Sequence, residues 1–214
     1  MRTIDLASWP RRELYEKFFN ISCPFFSVTF PVDVTAVHAW AKQNRVSFYH
    51  LLTWLSTGAM NAVPEFRLRV IDGQLVEIDR GDPSFTSLRK GERQFRIITV
   101  PFEDDPLTFC RHAKEADDAQ TAFIRMEKES ASLIFVSCLP WFDVTGLREE
   151  HRGDPDDLIP HLTWGKFYPV QNDRLELHMT VTANHRVADG FHVGEFKAEL
   201  DRRIAALCCA KGAE

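Results

Sequence analysis

The stretch from Leu175 to Phe191 constrains the fold more than any other part of the chain. Leu175, Leu177, Met179, Val181 and Ala183 alternate with Glu176, His178, Thr180 and Thr182, the two-residue period of a strand with one apolar face. His185 stays in phase with that face. Ala188-Asp189-Gly190 then breaks the period, and Val193, Phe196, Leu200, Ile204 and Leu207 recur at helical spacing. A titratable imidazole therefore closes a buried strand face shortly before an aspartate, at the entry to the last helix. Histidine is the side chain best suited to exchange protons near neutral pH. A structural histidine, an N-capping Asp189 and a turn-relieving Gly190 would give the same octapeptide, so the rest of the chain has to discriminate.

The 214 residues fit one domain spanning 1–214, since no linker-like stretch divides them. An apolar fraction of 44% with 17 phenylalanines can fill a sizeable core and leave aromatics for a pocket. The net charge of -5 argues against a nucleic-acid partner. Met1 leads straight into mixed polar sequence and no apolar run reaches roughly 18 residues, so a cytoplasmic protein without a membrane partner is expected. Cys23, Cys110, Cys138, Cys208 and Cys209 are scattered without metal-ligand spacing and read as reduced thiols. The absence of P-loop, G-x-G-x-x-G and C-x-x-C patterns leaves nucleotide hydrolysis, dinucleotide redox chemistry and zinc binding without local support.

Ser8 is placed to cap a helix whose first turn holds Trp9 and Pro10, with Glu13 near its N-terminal end. Arg11 and Arg12 fall in that turn, where the helix dipole disfavours cations; they are either solvated or matched to a specific anionic partner. Residues 25–34 read as a strand and 35–44 as a helix with Val37, Trp40 and Ala41 inward. Residues 48–62 are apolar on most sides, the mark of a buried helix. Phe66, Leu68 and Val70 alternate up to Asp72-Gly73, and Leu75, Val76 and Ile78 follow, which predicts a hairpin with a two-residue turn. Strands are expected at 85–86, 95–100, 132–139 and 162–170. An amphipathic helix is expected over 106–129 with Phe109, Ala113, Ala116, Ala119, Phe123 and Met126 inward, and the longest loop over 144–157. The expected fold is α/β, a two-layer mixed architecture with one large, mostly antiparallel sheet covered by helices.

Six pieces occur in a particular order: Trp9-Pro10-Arg11-Arg12-Glu13, P-E-F-R-x-x-x-x-D-G at 64–73, D-P-x-F-T at 82–86, S-x-x-P-W at 137–141, T-x-G-K at 163–166 and H-x-x-x-D-G-F-H-V at 185–193. With these pieces the chain resembles the type A chloramphenicol acetyltransferase family over essentially its whole length. The H-x-x-x-D-G element is shared with dihydrolipoyl acyltransferases and peptide-synthetase condensation domains, whereas the W-x-R-x-E start and Phe191-His192-Val193 favour the chloramphenicol family. The resemblance implies a CoA-dependent acyltransferase fold and an acetyl-CoA-dependent O-acetyltransferase, an antibiotic-resistance enzyme that needs no metal. It implies a homotrimer with active sites at subunit interfaces.

The resemblance also implies roles residue by residue. His185 matches the general base on the acceptor hydroxyl, and Ser137 the hydroxyl that donates to the oxyanion. Thr163 matches a threonine that assists through a bound water. Asp189 matches an aspartate that pairs with Arg11 and supports the site's architecture. Lys166 and Trp141 fall on the coenzyme A side. Phe18 and Phe95 fall where the family lines its aromatic acceptor, and Phe135 shares a strand face with Ser137; each could also be core. Strand alternation turns Cys138 away from Ser137, so it is taken as core. Residues 142–153, F-D-V-T-G-L-R-E-E-H-R-G, depart from the family's F-x-x-F-x-L-N type of segment on the acceptor side. The acceptor is therefore chloramphenicol or another small hydroxyl compound, and a non-catalytic binding or assembly protein of the same fold is the remaining alternative.

Overall fold

The computed structural model describes residues 1–128, 130–151 and 153–209. Its elements run β1 (Arg2–Thr3), α1 (Arg12–Phe19), β2 (Phe25–Asp33), α2 (Thr35–Asn44), α3 (Phe48–Ala62), a 3-10 turn (Pro64–Arg67), β3 (Leu68–Ile71), β4 (Gln74–Glu77), β5 (Asp82–Ser87), β6 (Arg96–Thr99), α4 (Pro106–Ala119), β7 (Leu133–Leu139), β8 (His161–Gly165), β9 (Tyr168–Pro169), β10 (Leu175–Asn184) and α5 (Gly190–Cys209). The large sheet has the order β2-β10-β8-β7-β5-β6, with β9 on β10. β10 pairs antiparallel with β2, β8 and β9, and β5 with β6, whereas β7 pairs parallel with both β5 and β8.

The period-two pattern of β10 decides the layers. Leu177, Met179, Val181 and Ala183 join Leu51, Leu52 and Leu55 of α3 and Val193, Phe196 and Leu200 of α5 in one core. α3 packs against α2, α4 and α5 and is buried almost throughout, as its apolar sequence predicts. The opposite face of β10 is not simply solvated. Thr180 and Thr182 are buried, with their hydroxyls 2.8 Å from those of Thr29 and Ser27 on β2. The 144–157 loop folds over this face, where Pro155 and Asp157 carbonyls accept from the Asn184 side chain at 3.1 and 3.0 Å.

Four expectations need correction. The hairpin forms, with positive φ at Asp72 and Gly73 as a type I′ turn requires, but it builds a separate three-stranded sheet with β1. α1 starts at Arg12, because the Ser8 hydroxyl is committed to Asp5 in an upstream turn, 2.8 Å away. α4 ends at Ala119, not at 129 (Glu129 itself lies outside the described residues). Buried Gln120 bonds the Ile97 and Ala122 carbonyls, and Ile97 donates to the Phe123 carbonyl, so this segment docks on β6 and leaves Phe123 and Met126 exposed. The 162–170 strand is interrupted after Gly165, where a Cβ would lie 2.7 Å from the Val144 nitrogen; the chain crosses there, and Lys166 donates to the Phe142 carbonyl. Cys23, Cys110 and Cys138 are free thiols, as expected; the side chains of Cys208 and Cys209 lie outside the described residues. No helix among the described residues is long and apolar enough to cross a membrane.

The two sheets are joined by one buried cation. Arg69 of β3 donates to the carbonyls of Ala131 (2.6 Å), Phe66 (2.9 Å), Leu68 (2.7 Å), Leu158 (3.4 Å) and Leu133 (2.8 Å). Its fork satisfies backbone acceptors on the hairpin, on β7 and on the loop before β8, groups that would otherwise be buried without donors. Arg69→Ala is expected to destabilise the fold by about 3–5 kcal/mol, because it orphans these carbonyls and opens a cavity. Arg69→Lys should recover only part of this, as one ammonium cannot span both sheets. Urea unfolding followed by circular dichroism measures both.

Candidate functional site

The parallel pairing of β7 with β8 places Ser137 opposite Thr163, and the β8–β10 ladder places Thr163 opposite Thr180. On the other side of β7, the Thr86 hydroxyl lies 3.2 Å from that of Ser137. Residues in register share a face, so a row of hydroxyls crosses the sheet on the side away from the helices. Ser137 opens into a cavity of about 910 Å³ that is also lined by Phe95, Trp141 and Lys166. The exposed Trp141 and Lys166 stand at its rim, and Lys90 and Arg93 line it from the segment before β6. Phe95 packs edge-on against Phe123, with centroids 5.5 Å apart. Cys138 borders the same cavity, but burial pushes its thiol up to about 12 against a weaker lowering by Trp164. It is a protonated thiol at neutral pH, not a nucleophile.

Thr163 is buried, and its hydroxyl donates to the Glu149 carboxylate in a short contact. The other oxygen of Glu149 lies 2.9 Å from His161 Nδ1. Burial pushes the Glu149 carboxyl up, but the hydrogen bonds from His161 and Thr163 and the neighbouring histidine charges outweigh it and hold the group below the ordinary range. The His161 ring stands edge-on to Phe135 at 5.1 Å, and His151 stacks on Phe25 at 3.7 Å. Phe135 thus faces His161 beside Ser137. Glu149, His151 and His161 are site neighbours that sequence reasoning missed. The signal available was the divergence of residues 142–153, which marks a changed segment without saying where its side chains land.

His185 lies elsewhere. Its backbone N–H donates to Pro24 at 2.7 Å, and its ring stacks on Phe18 at 4.3 Å and lies 4.8 Å from Phe26. Phe18 therefore supports the imidazole and does not stand beside Ser137. Nδ1 of His185 is buried without a hydrogen-bond partner among the described residues, so stacking, and not a carboxylate, orients the ring. Asp189 instead accepts from Arg11 at 2.9 Å and from the Phe191 backbone N–H at 2.9 Å. The cation expected to be misplaced in α1 sits just before its first turn and has its anionic partner. His192 completes this corner, with Nδ1 3.0 Å from Asp189 and Nε2 3.6 Å from Glu65.

The sheet register separates the two groups. From Ser137 the row passes through Thr163 to Thr180, and five further positions along the chain lead to His185. That is about 17 Å along a strand and about 10 Å across two strand spacings, roughly 19 Å in all. No proton can pass directly between an acceptor held at Ser137 and the imidazole of the same chain.

The chloramphenicol acetyltransferase family model matches residues 1–201. A chloramphenicol acetyltransferase of Klebsiella sp is 29% identical over 94% of this chain and 92% of its own length. Chloramphenicol acetyltransferase 2 of Escherichia coli is 31% identical over 90% of this chain and 92% of its own. A solved chloramphenicol acetyltransferase superimposes with a TM-score of 0.84 at 25% identity, covering 95% of this chain and all of the other.

Burial alone would raise the Asp189 carboxyl, yet the hydrogen bonds from Arg11 and Phe191 and the charges of His192 and Arg11 hold it low. A depressed carboxyl contributes stability that is present above the unfolded value, near pH 4, and is lost as pH falls through the lower folded value. Arg11→Ala is therefore expected to destabilise the protein by roughly 1–3 kcal/mol at pH 7, with the difference from wild type shrinking below about pH 4. Melting curves at pH 7 and pH 3.5 test it; a wild-type melting temperature at pH 7 would show that the pair contributes nothing.

Proposed function

Because the chain belongs to the chloramphenicol acetyltransferase family, we propose that it transfers the acetyl group of acetyl-CoA to a hydroxyl of chloramphenicol. Acetyl-CoA is a co-substrate that supplies an activated thioester. The cavity's mix of apolar wall with Lys90, Arg93 and Lys166 fits a molecule that is part apolar and part phosphate, with Trp141 beside Lys166.

In this reading a free imidazole nitrogen of His185 takes the acceptor proton as the hydroxyl oxygen attacks the thioester carbon. Ser137 donates its hydroxyl hydrogen to the carbonyl oxygen as that oxygen becomes negative, and Thr86, 3.2 Å away, orients the serine. The carbon–sulfur bond then breaks, and the imidazolium returns its proton to the departing thiolate. Thr163, whose own hydrogen is committed to Glu149, can only accept toward the reaction centre, the polarity needed to orient a water that donates to the oxyanion. Arg11 and Asp189 hold the turn that carries His185. Phe95 and Phe135 supply the aromatic acceptor wall, with Phe18 acting through the imidazole.

The observation that carries the reading is the separation of His185 from Ser137 within one chain. It supports a site completed by a second copy, the histidine of one subunit facing the serine of its neighbour. A homotrimer with each subunit a single acyltransferase domain, working in the cytoplasm, agrees with that arrangement.

Thiol release from acetyl-CoA with chloramphenicol tests the mechanism. Ser137→Ala is expected to lower kcat by about a hundredfold with little change in KM, and His185→Ala by about a thousandfold or more. Unfolding and reassembling the two inactive variants together should restore activity, because some interfaces then pair an intact histidine with an intact serine. Full activity in His185→Ala alone would remove the base, and failure of the mixture to recover would remove the shared site.

A further inference from the structure

Arg186, the residue after His185, is a buried cation that no step of acetyl transfer uses. Its side chain is 3% exposed. The guanidinium donates to the Tyr15 carbonyl at 3.2 Å, the Pro155 carbonyl at 2.6 Å and the Asp156 carboxylate at 2.6 Å. Its central carbon lies 3.8 Å from the Tyr15 ring centroid and 4.7 Å from that of Phe19. One side chain therefore joins three segments that are remote in sequence: the turn that carries His185, α1, and the loop before β8. A planar fork that also stacks on aromatic faces is what arginine supplies and lysine does not.

The imidazole depends on those segments for its angle. Nδ1 of His185 is buried without a hydrogen-bond partner among the described residues, and Phe18 stacks on the ring at 4.3 Å and 17°. The χ2 torsion of a histidine is broad, so a ring without a hydrogen bond takes the angle its neighbours impose. Stacking imposes that angle only while the two rings stay in contact. Phe18 lies on α1, between the two residues whose rings Arg186 touches. α1 is eight residues long, too short to be stable alone. It is tied to the His185 turn at its start by Arg11 and Asp189, and at its middle by Arg186. The backbone before the histidine joins the same clamp. Asn184 donates to the Pro155 carbonyl that Arg186 also uses, and accepts from the Arg186 backbone N–H at 3.0 Å.

We infer that Arg186 is a positioning residue for acetyl transfer, acting through α1 and Phe18 on the angle of the His185 imidazole. This role rests on the acetyltransferase reading above. The hydrogen bonds of the guanidinium end on Tyr15, Pro155 and Asp156, so it acts at one remove from the acceptor and the thioester. Without the clamp, α1 shifts by a fraction of an ångström and the imidazole follows Phe18. The ring nitrogen that takes the hydroxyl proton then leaves hydrogen-bond reach of it. Arg186 therefore bears on the chemical step and not on substrate binding.

Arg186→Lys keeps a cation for Asp156 but loses the fork and the stacking plane. With acetyl-CoA and chloramphenicol it is expected to lower kcat about tenfold while changing either KM less than about twofold. In a His185→Ala background the same substitution should change the residual rate less than about twofold, since no imidazole remains to misplace. A purely structural arginine would lower the rate by the same factor in both backgrounds, and that result overturns the proposal. So does an unchanged kcat in Arg186→Lys. Asp156→Asn, at a half-exposed position, loosens the same clamp without threatening the fold. It should lower kcat about threefold where His185 is present, and no loss there also overturns the role. The ring gives a readout that needs no turnover. With the eight histidines labelled at 13Cε1, the His185 signal is the one absent from His185→Ala. It is expected to be single in wild type and broadened or split in Arg186→Lys. An identical signal in the two proteins overturns the positioning role, whether or not thiol is released. A changed signal with no thiol release from wild type would keep the clamp and sink acetyl transfer.

Discussion

The hydrogen-bonded ladder along both edges of β10 is the constraint on which the rest depends. Its register with β2 runs from Glu176–Asp33 to Asn184–Phe25, and its register with β8 fixes Thr163 opposite Thr180. A slip of one residue would turn Leu177, Met179 and Val181 out of the core, so the apolar face locks the register. The same lock carries His185 past the end of the sheet and keeps Ser137 two strands away. The separation of His185 from Ser137 follows from the ladder, and no side-chain rearrangement can close it.

Around this frame, charge is handled in three ways. Arg69 is buried among backbone carbonyls and acts as a clamp between two sheets. Arg11 and Asp189 are a partly buried pair that ties the start of α1 to the turn before α5, with His192 and Glu65 packed behind them. Glu149 is held by the Thr163 hydroxyl and by His161, whose Nδ1 lies 2.9 Å away. The first two read as architecture because their hydrogen bonds end on groups that the fold itself supplies.

Much of the fold was legible in the pattern of residues. α2 and α3 begin and end where the apolar spacing and flanking residues put them, and the Asp72-Gly73 turn has the backbone its residues favour. The misses share one cause. Ser8 is a good cap, but Asp5 competes for it; residues 120–126 keep a helical apolar spacing, but Gln120 finds the edge of β6 and ends α4. Local propensity is a sum of small terms, and a buried side-chain hydrogen bond to a distant strand outweighs it.

By itself the sequence determined the strand that leads to His185, the buried helices, the hairpin and the ordered motifs that mark the family. Each of these depends on residues near one another in the chain, or on a pattern carried along it. Only the tertiary structure decided that the Thr86 hydroxyl meets that of Ser137, that Phe18 stacks on His185, and that Glu149 reaches Thr163 and His161. Those contacts join residues that are remote in the chain, and sheet register and loop path bring them together, neither of which leaves a local periodicity. The octapeptide around His185 placed an imidazole at a strand end; the ladder beneath it decided what that imidazole can reach.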